Sequence, residues 1–126
     1  MKIILVSAAL SVLTVAAPTA VLAQDVAAGK KLFRRCSACH TVDEGGANKV
    51  GPNLWGIFGS TAGTRDTGFP YSKPLKESGI VWDDATMSAY IENPRKAVPK
   101  TRMSFAGLKK ADQRADVIAY LKSVTQ

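Results

Sequence analysis

The chain has 126 residues, with 17 Lys and Arg against 10 Asp and Glu, two Cys, one His and a formal net charge of +7. One cysteine pair and one histidine are too few for a zinc site built from two ligand pairs. No nucleic-acid module pattern accompanies the basic excess, which suits acidic protein surfaces instead. The length allows one domain with a modest core.

Residues 1–23 have the layout of a secretory signal: Lys2 as the charged start, an apolar run from Ile3 to Val15, and a small-residue exit at Val21-Leu22-Ala23. The uncharged stretch Ile3 to Ala23 is also just long enough to span a bilayer, so an uncleaved membrane anchor is the rival reading. Pro18, the Ser and Thr residues and the Ala23 exit favour cleavage. The expectation is an exported, periplasmic domain of residues 24–126, which keeps all the acids and every basic residue but Lys2, for a formal charge of +6.

Asp25 is placed to cap a helix running toward Cys36, with Val26, Leu32 and Phe33 as its apolar positions. Gly29 interrupts it at a cost of about 1 kcal/mol relative to Ala, which marks a close crossing with another helix. The helix leads into Cys36-Ser37-Ala38-Cys39-His40. Two thiols three positions apart on a helical turn share a face, so both can add to the vinyl groups of one porphyrin, and His40 follows at once as an imidazole ligand for its iron. A thioredoxin-like redox motif would need a strand leading into the helix, and no strand-like run is present. A structural disulfide would leave the position of His40 a coincidence. The pattern indicates covalent attachment of one c-type haem through Cys36 and Cys39.

From Thr41 to Ser72 the chain carries seven glycines with Pro52 and Pro70, and no sustained helical or strand period. A loop of this length in a small domain needs a purpose, and wrapping a macrocycle supplies one for Leu54, Trp55, Ile57, Phe58, Phe69 and Tyr71. That aromatic content argues against a flexible linker. Pro74 opens a short helix through Glu77, closed by Gly79. Asp83 or Asp84 caps the next, which ends at Asn93 where Pro94 halts it. Met87, Tyr90 and Ile91 share one face of that helix, which makes Met87 a core residue. Pro94 to Lys110, with two prolines, Gly107 and six basic residues, is not one helix. The last helix begins near Ala111 or Asp112 and buries Val117, Ile118, Leu121 and Val124, with Tyr120 beside them, against the Gly29 crossing.

His40 is the only histidine, so a second imidazole ligand would have to come from another molecule. Apart from Met1 the methionines are Met87 and Met103, and Met103 sits in a proline-stiffened irregular stretch able to reach over a haem. A Met/His pair closes the iron and raises its potential, which suits electron transfer rather than substrate activation. The alternative is a haem enzyme or gas-binding protein of the peroxidase kind, with an open sixth position. Such a site calls for a distal His or Arg, and there is no second His.

The motifs Cys36-Ser37-Ala38-Cys39-His40, Gly51-Pro52-Asn53-Leu54, Tyr90-Ile91-Glu92-Asn93-Pro94 and Met103-Ser104-Phe105-Ala106-Gly107 stand in the order and nearly the spacing of the class I cytochromes c, of the mitochondrial type and its soluble bacterial counterparts. The resemblance covers residues 24–126. It implies an all-α, small cytochrome c fold, with short helices and long loops wrapped around one covalently attached haem. It also implies one-electron shuttling within a respiratory or photosynthetic chain, by a monomer and not an enzyme. The implied partners are membrane or periplasmic redox proteins with acidic docking surfaces: a cytochrome bc1-type donor, and an oxidase, peroxidase or reaction centre as acceptor.

By the same resemblance, the carbonyl of Pro52 accepts a hydrogen bond from His40. Tyr71, Ser72, Trp82 and Thr101 match positions that hydrogen-bond the haem propionates, Tyr90 and Asn93 match pocket positions beside the methionine ligand, and Gly29 and Tyr120 match the terminal-helix crossing. The chain departs from the family at Ser60, where many relatives have an arginine near a propionate, and at Leu75, about where they have a water-binding asparagine. Lys100 replaces a common glycine before the ligand loop, and the first-helix aromatic stands one residue nearer Cys36 than in mitochondrial forms. Arg35, Lys49, Arg95, Lys96, Lys100, Arg102, Lys109 and Lys110 flank the attachment and ligand loops as a docking rim, against the plainer reading of a solvated basic face.

Overall fold

The computed structural model describes residues 24–126, and the expected signal segment, residues 1–23, lies outside the described residues. Five helices follow in order: α1 (Val26–Ser37), α2 (Lys73–Glu77), α3 (Asp84–Glu92), α4 (Pro94–Ala97) and α5 (Ala111–Val124). The described residues form no named strand. One isolated antiparallel bridge joins Thr61 to Val81, so the all-α expectation holds.

α1 starts where Asp25 Oδ1 accepts the Ala28 N–H at 3.0 Å, satisfying a helix-end donor that would otherwise be orphaned. The Asp25 N–H in turn donates to Asp116 Oδ1 at 2.8 Å, which ties the start of α1 to the middle of α5. The two helices cross at Gly29. A Cβ there would lie 2.0 Å from the carbonyl oxygen of Asp116, so only glycine permits the approach. Beside the crossing the Phe33 and Tyr120 rings stack tilted, with centroids 5.3 Å apart. Phe33, Val117, Ile118 and Leu121 are buried in this seam. Val26 is exposed despite its apolar spacing, and Val124 is only half-buried while Thr125 is fully buried. The Thr125 hydroxyl is spent on the Leu121 carbonyl at 2.7 Å, so its methyl can join the core.

α3 begins with a reciprocal cap, in which Thr86 N–H donates to Asp83 Oδ1 at 2.8 Å and Asp83 N–H donates to Thr86 Oγ1 at 2.9 Å. It buries Met87, Tyr90 and Ile91. Asn93 then serves twice: its backbone N–H closes α3 on Ala89, and its side-chain oxygen accepts the Lys96 N–H at 3.2 Å to open α4. Pro94, expected only as a stop, is therefore also a start. It lacks the N–H that a first helical turn leaves unpaired anyway.

Buried Arg114 on α5 was not anticipated from the pattern. Its Nη1 donates to the carbonyls of Leu108 (3.0 Å) and Lys109 (2.9 Å), and its Nε donates to Ser88 Oγ (2.9 Å), with Glu92 3.8 Å away. One guanidinium thus fastens the end of the irregular segment 98–110 to both α3 and α5. Lys122 adds a second tie from α5 to α3 through Asp84 at 2.9 Å. Held between these helices, the loop residues Leu54, Ile57, Ala62, Trp82, Val98 and Leu108 are buried and complete the core.

Candidate functional site

A cavity of about 610 Å³ opens into this core, bounded by the last turn of α1, the glycine-rich loop, α3 and the segment around Met103. Cys36 lies in the last turn of α1, and the N–H groups of Cys39 and His40 both donate to its carbonyl at 2.9 Å. This tight exit from the helix puts both thiols and the imidazole on the wall of one cavity. No disulfide joins the two cysteines. Burial pushes the Cys36 thiol pKa up, opposed in part by the charge of Arg35, so Cys36 stays a neutral thiol at neutral pH.

His40 Nδ1 lies 2.7 Å from the carbonyl oxygen of Pro52, which cannot donate, so Nδ1 carries the proton and Nε2 keeps a free lone pair. Burial lowers the imidazole pKa against the opposing pull of that hydrogen bond, and the charge of Arg65 lowers it further. A neutral imidazole with a fixed tautomer is what a metal ligand requires. The ring is seated against Gly51, where a Cβ would come within 2.3 Å of His40 Cε1. Asn53, itself buried, locks the surrounding loop: its Nδ2 donates to Thr41 Oγ1 (2.8 Å) and to the Asp43 carbonyl (2.9 Å).

Across the rest of the wall, Pro52, Tyr71, Ser72 and Trp82 join the lining, as do Tyr90, Thr101 and half-buried Met103. The Met103 N–H donates to Thr101 Oγ1 at 3.3 Å, and that hydroxyl is 2.9 Å from Tyr90 Oη. Asn93 is the one predicted pocket residue that the cavity lining omits, because its side chain is committed to capping α4. Met87 is buried, as its helical spacing indicates, and also borders the cavity. Sequence reasoning missed Arg65, a half-buried lining residue. Its only signal was a cation placed late in the glycine-rich loop, between Gly63 and the aromatic residues Phe69 and Tyr71.

These residues fit a covalently held haem. The cavity is mostly apolar, its two thiols stand on one helical exit, the adjacent imidazole has its outer nitrogen satisfied, and hydroxyls of Tyr71, Ser72 and Thr101 supply polar contacts. Among the described residues no buried side-chain polar atom lacks a partner, so the apolar walls carry no unmet hydrogen-bonding demand.

A family model for cytochrome c matches residues 26–125. The chain is 49% identical over 104 residues to a cytochrome c of Chlamydomonas reinhardtii, covering 82% of this chain and 92% of that protein. It is 52% identical over 101 residues to a cytochrome c2 of Afifella marina, covering 78% of this chain and 81% of that protein. A cytochrome c of Theileria annulata is 49% identical over 102 residues, 80% and 87% of the respective chains.

Proposed function

Given that the chain belongs to the cytochrome c family, whose members carry single electrons on a covalently attached haem, we propose that His40 and Met103 are the axial ligands and that the exported protein docks on acidic redox partners. Bound through Cys36 and Cys39, the haem supplies a one-electron iron couple, and a thioether ligand favours its ferrous state. The chain is an electron-transfer protein and not an enzyme.

What the protein contributes is position and dryness. Pro52 holds His40 in the tautomer that presents Nε2. Thr101 and Tyr90 hold the backbone of Met103, and buried Leu54, Ile57 and Trp82 keep water from the cavity walls. A low-dielectric, pre-shaped site needs little reorganisation when charge changes by one, which favours fast transfer.

The observation that carries the ligand assignment is the meeting on one cavity of Met103 and of His40, whose Nε2 is left free by the Pro52 contact at Nδ1. Met87 borders the same cavity, so it is the internal control. Ferric protein should show a sulfur-to-iron absorbance band that survives Met87→Leu and vanishes in Met103→Ala. Loss of the band in Met87→Leu alone, or its absence from the wild type, would overturn the assignment.

The docking reading is supported by the basic excess and by the exposed Arg95, Lys96, Lys100 and Arg102 beside the Met103 segment. Two rim cations are tied to backbone carbonyls: Lys109 Nζ donates to Glu92 at 2.7 Å, and Arg102 Nη2 donates to Pro70. Transfer to an acidic partner should slow as salt shrinks the Debye length from about 30 to about 8 Å, and Lys96→Glu should flatten that dependence. An unchanged rate and slope would reduce the rim to a solvated face. Export is supported by the signal-like layout of residues 1–23. A mature N-terminus at Gln24 is the expected result of sequencing the native protein, and retention of Met1 would favour the anchor instead.

A further inference from the structure

Arg65 lies in the loop between α1 and α2, half-buried, with its guanidinium on the cavity wall. Nη1 donates to the carbonyl of Trp55 and Nη2 to that of Asn53, while Tyr71 Oη stands 3.5 Å from Nη2 and 3.2 Å from Thr67 Oγ1. Arg35, Lys49 and Arg102 also border the cavity, but all three are exposed, so Arg65 is the only lining cation held away from bulk water among the described residues.

A guanidinium cannot shed its proton in a protein, and a charge taken out of water needs a counter-charge. None of the ion pairs among the described residues involves Arg65. Its hydrogen bonds to two neutral carbonyls use part of a five-donor fork and leave the net charge uncompensated. Meanwhile Ser60, which stands at the arginine position of many relatives, turns its hydroxyl to the Ile57 carbonyl at 2.6 Å and does not line the cavity. A haem brings two propionate carboxylates into this cavity. The structure therefore has one half-buried cation without an anion, and the cofactor has anions whose usual cationic partner is missing at Ser60.

We propose that Arg65 is the cation that pairs with a haem propionate in this protein, and that through this pairing it raises the reduction potential. The inference rests on haem attachment at Cys36 and Cys39 and is independent of which side chain is the sixth ligand. Tyr71, beside the guanidinium, would share the same carboxylate as a neutral donor. A fixed positive charge near the iron stabilises the ferrous over the ferric state, and the low-dielectric surroundings let that charge be felt.

The test is an optical redox titration of the haem-loaded protein against a mediator. Arg65→Gln should shift the one-electron equilibrium about three- to tenfold toward ferric, the upper end corresponding to about 59 mV. Arg65→Lys keeps the charge and loses the fork, so it should shift the equilibrium less than Arg65→Gln does. Because Arg65 also clamps two loop carbonyls, either variant will lose thermal stability, and that loss alone is what a purely structural role predicts. Potentials equal to wild type in both variants would overturn the proposal. If the Gln variant does not accumulate, redox-difference infrared spectra decide: propionate carboxylate bands should move in Arg65→Lys, and bands identical to wild type would overturn it. The sulfur-to-iron band, read in the same samples, reports separately on the axial ligand.

Discussion

The hydroxyl oxygens of Tyr90 and Thr101 lie 2.9 Å apart, which fastens the last turn of α3 to the side chain two residues before Met103. Burial raises the Tyr90 pKa, so its phenol remains a donor throughout the working range. Thr101 also receives the Met103 N–H, so one hydroxyl serves both contacts. Tyr90→Phe and Thr101→Val should each weaken the closed ligand loop by about 1 kcal/mol, and the double variant should lose clearly less than the sum. The pH at which the sulfur-to-iron band disappears reads this out, falling by roughly 0.7 unit per kcal/mol. Strictly additive losses would show that the two side chains act separately.

At the other end of the fold, Gly29→Ala places a methyl 2.0 Å from a backbone oxygen of α5 and 2.9 Å from Tyr120 Cβ. Backbone on both sides cannot yield without parting the helices. The better helix propensity of Ala, about 1 kcal/mol, is therefore outweighed by an overpacking cost of about 3 kcal/mol or more. Thermal unfolding of the loaded protein should show a large drop in Tm. A stabilised variant would mean the crossing is looser than the contact distances imply.

Residues whose chemistry is local were legible in the sequence. Asp25, Gly29, the attachment motif, and the Met87, Tyr90 and Ile91 face all announce themselves through spacing of a few positions, and the structure places them as the spacing requires. Arg65 and Arg114 were not legible, because a cation becomes informative only when its neighbours are known. Arg114 meets Ser88 and Glu92, far away in the chain, and Arg65 meets carbonyls from a turn it follows by ten or more residues. Asn93 shows the converse case, a residue whose observed contact is a helix cap. Family likeness suggested a pocket role, while its place just before a proline already fitted a helix cap.

The cavity itself predicts that haem and fold are coupled. Enclosed voids in a core cost about 24 cal/mol per Å³. If only a third of the 610 Å³ behaved as enclosed space, the penalty would be about 5 kcal/mol, comparable to the whole stability of a small domain. Protein carrying Cys36→Ala and Cys39→Ala, expressed without haem, should therefore lack a cooperative thermal transition. A sharp transition with native helix content would refute the coupling.

Acid should act on α3. Asp83, exposed at its N-terminus, has its carboxyl pKa lowered by hydrogen bonds from the backbone and side chain of Thr86. A depressed carboxylate contributes stability that is present above its unfolded value and is lost as pH falls through the folded one. The stability curve of wild type should thus fall below about pH 4, and Asp83→Asn should reduce that part of the slope while keeping a capping oxygen. Identical acid limbs in the two proteins would assign the slope to other groups.

Lys100 holds φ at +64°, the one non-glycine residue with positive φ among those described. The Thr101 N–H donates to the Val98 carbonyl at 3.0 Å, so Pro99 and Lys100 are the central pair of a turn with proline first and a left-handed residue second. Such a turn calls for glycine, and a side chain there costs about 1–2 kcal/mol. The strain sits three residues from Met103, where it favours opening of the ligand loop. With Met103 as the proposed sixth ligand, and methionine a weak ligand for ferric iron, alkaline pH, which deprotonates lysine, should let an amine displace it. Arg102 cannot serve, because a guanidinium keeps its proton. Exposed Lys96, on α4, can swing round with the loop, whereas Lys100 would need a tighter turn than the strained one it already occupies. Two effects should therefore separate in a titration of the ferric sulfur-to-iron band. Lys100→Gly removes the strain and should raise the midpoint by roughly 0.7 unit for each kcal/mol regained. Lys96→Ala should leave the loop's strain alone and abolish the main lysine-ligated species. An unchanged alkaline spectrum in Lys96→Ala would exclude Lys96 as the ligand, and an unmoved midpoint in Lys100→Gly would mean that the turn relaxes without glycine.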